Sequence, residues 1–200
     1  MAMMNLPNAI TLARLGLTAV YLAAACQSGA GYATGALVAF TIAAATDWLD
    51  GYLARKLGQV TALGKLLDPL VDKILVCSAF VHLSTLDLCP LWVTTIIMAR
   101  EFLITGLRQL AMERGVVIAA DRWGKLKTIA QICFIVIALL WKVHQSASNN
   151  LSSNANSVWN WLSPQQPPFQ LLLALALVLT VLSAMNYLRH GRELFRDRHD

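Results

Sequence analysis

Charge is what this sequence has least of. Asp, Glu, Lys and Arg make up 14% of its 200 residues, against about 25% in an ordinary soluble domain. The apolar share is 57%. That excludes a disordered chain, and it is more apolar surface than a soluble globule of this size hides. Acids are scarcer than bases, 11 against 16, leaving a formal net charge of +5. In a soluble chain such a surplus points to nucleic acid. In a chain this apolar the anionic partners are lipid headgroups and phosphorylated substrates, and no nucleic acid is expected. Cysteine is scarce too. Cys26, Cys77, Cys89 and Cys133 form no CxxC pair, and three of them lie inside apolar runs. This argues against a disulfide framework or a thiolate metal site and reads as small buried hydrophobes.

What remains is a polytopic, all-α membrane protein, one domain over residues 1–200 with six transmembrane helices. Each span needs about 20 residues. The segments fall near 9–27, 32–57, 64–84, 91–114, 122–142 and 169–188. Ser28-Gly29-Ala30-Gly31 marks the first turn. The third and fifth segments are weak on hydropathy, because Ile74 to Leu83 and Thr128 to Trp141 are short and carry charges at one end. Residues 144–168, rich in Ser, Asn, Gln and Pro, read as a solvated connector. Trp159 and Trp161 read as interfacial aromatics. Every Lys and Arg except Lys142 falls on the side of the N-terminus. The positive-inside bias then puts both termini in the cytoplasm of a bacterial inner membrane, with the basic tail from Arg189 on anionic lipid.

The acids that remain are concentrated. Asp47 and Asp50 are i,i+3 in the second segment, and Asp68 and Asp72 are i,i+4 in the third. Each pair shares a helix face, about 4.5 to 6 Å apart along the axis. Four like charges at a membrane edge repel. They are tolerated if some are protonated, if Arg or Lys pairs with them, or if divalent cations sit between them. Oxygen-only ligands favour a hard ion such as Mg²⁺ or Mn²⁺, which usually completes its shell with substrate phosphates. Gly51 and Ala54 share the carboxylate face, and Arg55 can neutralise a phosphate. An ion-pair network at helix ends is the plainer explanation for any one Asp, but not for all four together.

The pattern Asp47-x2-Asp50-Gly51-x2-Ala54-Arg55-x8-Gly64-x3-Asp68-x3-Asp72 resembles the signature of the CDP-alcohol phosphotransferases, with every fixed position present. The resemblance runs from Asn5 to about Lys127. It implies the fold of that family and two Mg²⁺ or Mn²⁺ ions held by Asp47, Asp50, Asp68 and Asp72 at the cytoplasmic face. It also implies a CDP-linked lipid, CDP-diacylglycerol, whose phosphatidyl group passes to an alcohol with release of CMP. Asp72 would be the general base. Asn8, Thr11, Gly51, Arg55 and Thr61 would lie along the cytidine diphosphate. A homodimer is likewise implied. The chemistry agrees independently. A hydroxyl attacking a diphosphate needs charge neutralisation, alignment and a base. No Ser or Cys is placed with a His as a covalent nucleophile, so direct displacement is expected.

The acceptor is read from bases in the fourth and fifth segments. Arg100 and Arg108 are eight apart on one helix face, and Lys125 and Lys127 open the next helix. Together they suit an acceptor carrying its own phosphate. Snorkelling to lipid phosphates fits Arg114 and Arg122 better than the deeper Arg100. The stretches 99–108 and 124–128 resemble the branch of the family that uses sn-glycerol 3-phosphate. Inositol phosphate, serine or phosphatidylglycerol are the other acceptors to weigh. A cation transporter would need carboxylates across the midplane, whereas these cluster at one edge. A noncatalytic lipid-binding homologue would not need Asp72.

Overall fold

The computed structural model describes residues 6–57, 62–113, 122–148 and 157–190, with side chains for 12–46, 71, 73–112, 123–147 and 158–189. Six long helices occur among them: α1 (Leu6–Ala25), α2 (Ala30–Leu57), α3 (Ala62–Thr85), α4 (Leu91–Glu113), α5 (Arg122–Ser148) and, after a short α6 (Ser157–Trp161), α7 (Pro167–His190). No strand is present among the described residues. The long helices pack in a closed ring in the order α1, α2, α5, α7, α4, α3. Contacts between α3 and α5, and between α2 and α3, cross its middle.

The turns explain where the helices stop. Between α1 and α2 the chain reverses at Gly29, whose φ of +126° is open only to glycine. α3 ends in a Schellman motif. The Leu88 N–H donates to the Leu83 carbonyl at 3.0 Å and the Asp87 N–H to the Ser84 carbonyl at 3.2 Å. Asp87 takes the left-handed position at φ 57°, which a short polar side chain tolerates. Leu83 and Leu88, the two ends of the motif, are both buried in the core.

Polarity is segregated along the bundle. One half holds an apolar core of Tyr21, Phe40, Phe80, Phe134, Ile97 and Leu139 with their neighbours. Phe134 stacks on Phe80, with centroids 6.0 Å apart, and meets Phe169 edge-on at 5.2 Å. The Tyr21 hydroxyl pairs with His82 Nδ1 at 2.9 Å. The other half buries Arg14, Thr18, Glu101, Lys127, Gln131, Thr180 and Ser183. Outside, Leu12, Val20, Ile42, Phe102, Leu103, Ile129, Leu171 and Val178 are exposed, an apolar surface suited to lipid. Among the described residues, Trp123–Ala147 (mean hydropathy 1.9) and Pro167–Arg189 (2.2) are long and apolar enough to cross a membrane. The apolar stretches Leu12–Ala25, Ala30–Thr46 and Lys73–Thr85 are shorter.

Three sequence expectations change. The connector starts later, because α5 continues to Ser148, and it contains α6. The His144 ring stacks on Trp159 at 4.3 Å, nearly parallel, so Trp159 is a half-buried clamp between α5 and α6, while Trp161 is exposed. Only Cys77 and Cys89 are buried; Cys26 and Cys133 are exposed, and all four are free thiols. Cys89 lies between α3 and α4, where burial pushes its thiol pKa up and keeps it protonated.

Candidate active site

The four aspartates lie on the two helices where the sequence put them. Asp47, Asp50, Gly51, Ala54 and Arg55 occupy the last turns of α2, and Asp68 and Asp72 the first half of α3. The i,i+3 and i,i+4 registers are therefore helical registers. Asn8 and Thr11 stand in the first turns of α1. The side chains of Asn8, Thr11, Asp47, Asp50, Arg55, Asp68 and Asp72, the surroundings of Gly51, and Thr61 altogether, lie outside the described residues.

The cationic cluster on α3, α4 and α5 lies among the described residues. Its centre is Glu101 on α4, 1% exposed. Lys127, on the first turns of α5 and 2% exposed, donates from Nζ to Glu101 Oε1. Lys73 on α3, one residue beyond Asp72, places Nζ 3.4 Å from Glu101 Oε2. Arg100 Nη1 lies 3.4 Å from Glu101 Oε1, and its Nη2 donates to Ser183 Oγ on α7 at 2.7 Å. Three helices thus deliver cations to one carboxylate, and a fourth orients the guanidinium. Such a charge is tolerated in an apolar bundle only with partners of this kind. Removing one member of a buried pair typically costs about 3–5 kcal/mol, because the other is left uncompensated.

Hydroxyl and amide groups extend the network. Gln131 Nε2 donates to Thr180 Oγ1 at 3.0 Å, and Thr180 in turn donates to the Ala176 carbonyl at 2.6 Å. A cavity of about 30 Å³ beside Lys73, Glu101, Lys127, Thr128 and Gln131 has room for water. The Arg100 Nε–H and the Tyr187 hydroxyl are buried without a hydrogen-bond partner among the described residues.

The four bases singled out from the sequence are therefore not equivalent. Arg100 and Lys127 converge on Glu101. Arg108 lies two turns along α4, its Cζ 5.7 Å from the centre of the Tyr187 ring, a cation–π distance. Lys125 is exposed, while Lys127 is buried, since a two-residue step turns a helix by about 200°. Glu101, Ser183, Gln131, Thr180 and Tyr187 were not picked out by sequence reasoning. Glu101 carried a signal, as an acid in the middle of the fourth apolar segment. The partners on α7 carried none, because Ser183 is 83 positions from Arg100.

A helical bundle with a complete aspartate motif on two neighbouring helices and a buried cationic cluster alongside defines a class. The chain belongs to the CDP-alcohol phosphatidyltransferase family, whose model matches residues 4–182. The match extends past Lys127, where the motif-based resemblance stopped, and takes in most of α7. Among curated relatives, the CDP-diacylglycerol–glycerol-3-phosphate 3-phosphatidyltransferase of Bacillus subtilis is 44% identical over 151 residues, covering 69% of this chain and 78% of its own. A probable phosphatidylglycerophosphate synthase of Mycobacterium tuberculosis is 41% identical over 149 residues, covering 72% of this chain and 71% of its own. The Rickettsia bellii enzyme bearing the first of these names is 32% identical over 195 residues, covering 96% of this chain and 97% of its own.

Proposed function

We propose that this chain transfers the phosphatidyl group of CDP-diacylglycerol to sn-glycerol 3-phosphate, giving phosphatidylglycerophosphate and CMP. Family membership and the names of three relatives support the reaction. The observation that carries the acceptor is the convergence of partly buried Arg100 and buried Lys127 on Glu101, which Lys73 links to the helix of Asp72. An acceptor with its own phosphate explains why an apolar bundle holds these charges beside the aspartate motif.

The donor set fits a pair of hard divalent ions. Four carboxylates stand at helical registers on α2 and α3, with no His or Cys within the motif to favour a softer metal. Asp47, Asp50, Asp68 and Asp72 would hold Mg²⁺ or Mn²⁺. When bound, these ions neutralise the diphosphate and stabilise the charge that develops on it. The protein's own residues do the rest. Asn8, Thr11, Gly51, Arg55 and Thr61 bind along the cytidine diphosphate. Arg100, Lys127 and Arg108 hold the acceptor phosphate, and exposed Lys125 adds longer-range attraction. Asp72 takes the proton from the acceptor hydroxyl. That oxygen bonds to the phosphatidyl phosphorus, the bond to the bridging oxygen breaks, and CMP leaves. Holding both substrates in line turns a bimolecular encounter into a step within one complex.

The chain is read as one domain crossing a bacterial inner membrane six times, with both termini and the aspartate motif at the cytoplasmic face. The exposed apolar surface and the one-sided bases support this. A homodimer follows from the family resemblance. The test is an acceptor panel: purified protein, CDP-diacylglycerol and Mg²⁺ or Mn²⁺, with glycerol 3-phosphate, inositol phosphate, serine or phosphatidylglycerol in turn. CMP release is expected with glycerol 3-phosphate. Release only with another acceptor overturns the assignment.

A further inference from the structure

Glu101 is the one buried carboxylate among the described residues. It cannot itself touch an incoming phosphate, because two anions repel. Its oxygens are already taken, Oε1 by Lys127 and Arg100 and Oε2 by Lys73. What the carboxylate does is fix two long, rotamer-rich side chains, one from α4 and one from α5, at one point. Left alone, a Lys on α5 and an Arg on α4 would repel each other and turn towards solvent or lipid phosphate. Arg100 is held from a second side by Ser183, and its buried Nε–H has no hydrogen-bond partner among the described residues. A guanidinium held on two sides, with donors that include Nε–H to spare, is arranged to receive an anion.

We propose that Glu101 is a positioning residue for the acceptor. It holds Lys127 and Arg100 together, so that a phosphate-bearing alcohol meets a preorganised cationic pocket beside Asp72. This rests on the reading of the acceptor as a phosphorylated alcohol. Through Lys73 the same carboxylate ties that pocket to α3, so acceptor and aspartate motif share one rigid connection. A side chain that acts by preorganisation affects the substrate it positions more than the other substrate.

The test is steady-state kinetics of purified Glu101→Gln, with glycerol 3-phosphate and CDP-diacylglycerol varied separately. The expected result is a KM for glycerol 3-phosphate raised by about tenfold or more, with the KM for CDP-diacylglycerol within about twofold of wild type. Glu101→Asp keeps the charge but pulls it back by one methylene. It is expected to fold and to give an intermediate rise, so it keeps the proposal testable if the Gln variant is unstable in detergent. In a cycle with Lys127→Met, the two substitutions are expected to be strongly non-additive in the acceptor KM. An acceptor KM that is unchanged or lowered, equal losses on both substrates, or an additive cycle would overturn the role of Glu101. Wild-type protein inactive with glycerol 3-phosphate but active with an acceptor lacking phosphate would instead overturn the acceptor reading.

Discussion

Asp72→Asn is expected to lower kcat by about 10²- to 10⁴-fold, the usual contribution of a positioned general base, and by more if a metal ligand is lost with it. The replacement is nearly isosteric and sits within a regular stretch of α3, so helix content and thermal unfolding in detergent should stay close to wild type. The amide cannot take the hydroxyl proton, and it is a weaker ligand for a hard cation than a carboxylate. The loss belongs in kcat rather than in the KM for the acceptor, which distinguishes Asp72 from Glu101. An Asn variant with full turnover would remove Asp72 from the base role and leave the other three aspartates to explain the motif.

Removing divalent ions is the second large effect. Chelation is expected to abolish turnover, and Mg²⁺ or Mn²⁺ added back should restore it. Four carboxylates at one turn's spacing on two helices repel one another when uncompensated, so binding should also be visible without catalysis. Mn²⁺ bound to the wild type should give an altered electron paramagnetic resonance signal. Asp68→Asn should need several-fold more Mn²⁺ to reach the same occupancy. Undiminished activity in excess chelator would show that the motif is a structural ion-pair network after all.

The parts of this protein that local rules govern were legible in its sequence. The turn at Gly29, the start of α4 at Leu91 and the charge-free run 169–188 of α7 follow from glycine, proline and hydropathy. The i,i+3 and i,i+4 spacing of the aspartates is a helical property that needs no tertiary information, and so the motif and its family could be recognised. What depended on distant contacts was hidden. α5 runs on to Ser148, through Gln145 and Ser146, where composition alone suggested a loop. The stacking of His144 on Trp159 is a contact between segments with no shared periodicity. The sequence singled out the cationic residues as a type, but their grouping was not visible. Lys125 and Lys127 look alike in sequence and differ completely in burial. Glu101 became central only when α3, α4 and α5 brought three cations to it.

Those contacts also account for the scarcity of charge. The buried Glu101 stands where opposite charges meet it, while much of the outer surface is left apolar. The central claim, direct transfer of a phosphatidyl group to glycerol 3-phosphate, is tested most directly by stoichiometry. Purified protein with Mg²⁺ or Mn²⁺ and CDP-diacylglycerol is followed for CMP and for lipid-soluble product, with and without labelled glycerol 3-phosphate. Equal amounts of CMP and labelled phosphatidylglycerophosphate are predicted, with no CMP before the acceptor is added. A burst of CMP without acceptor, or CMP release with no label entering lipid, would contradict it.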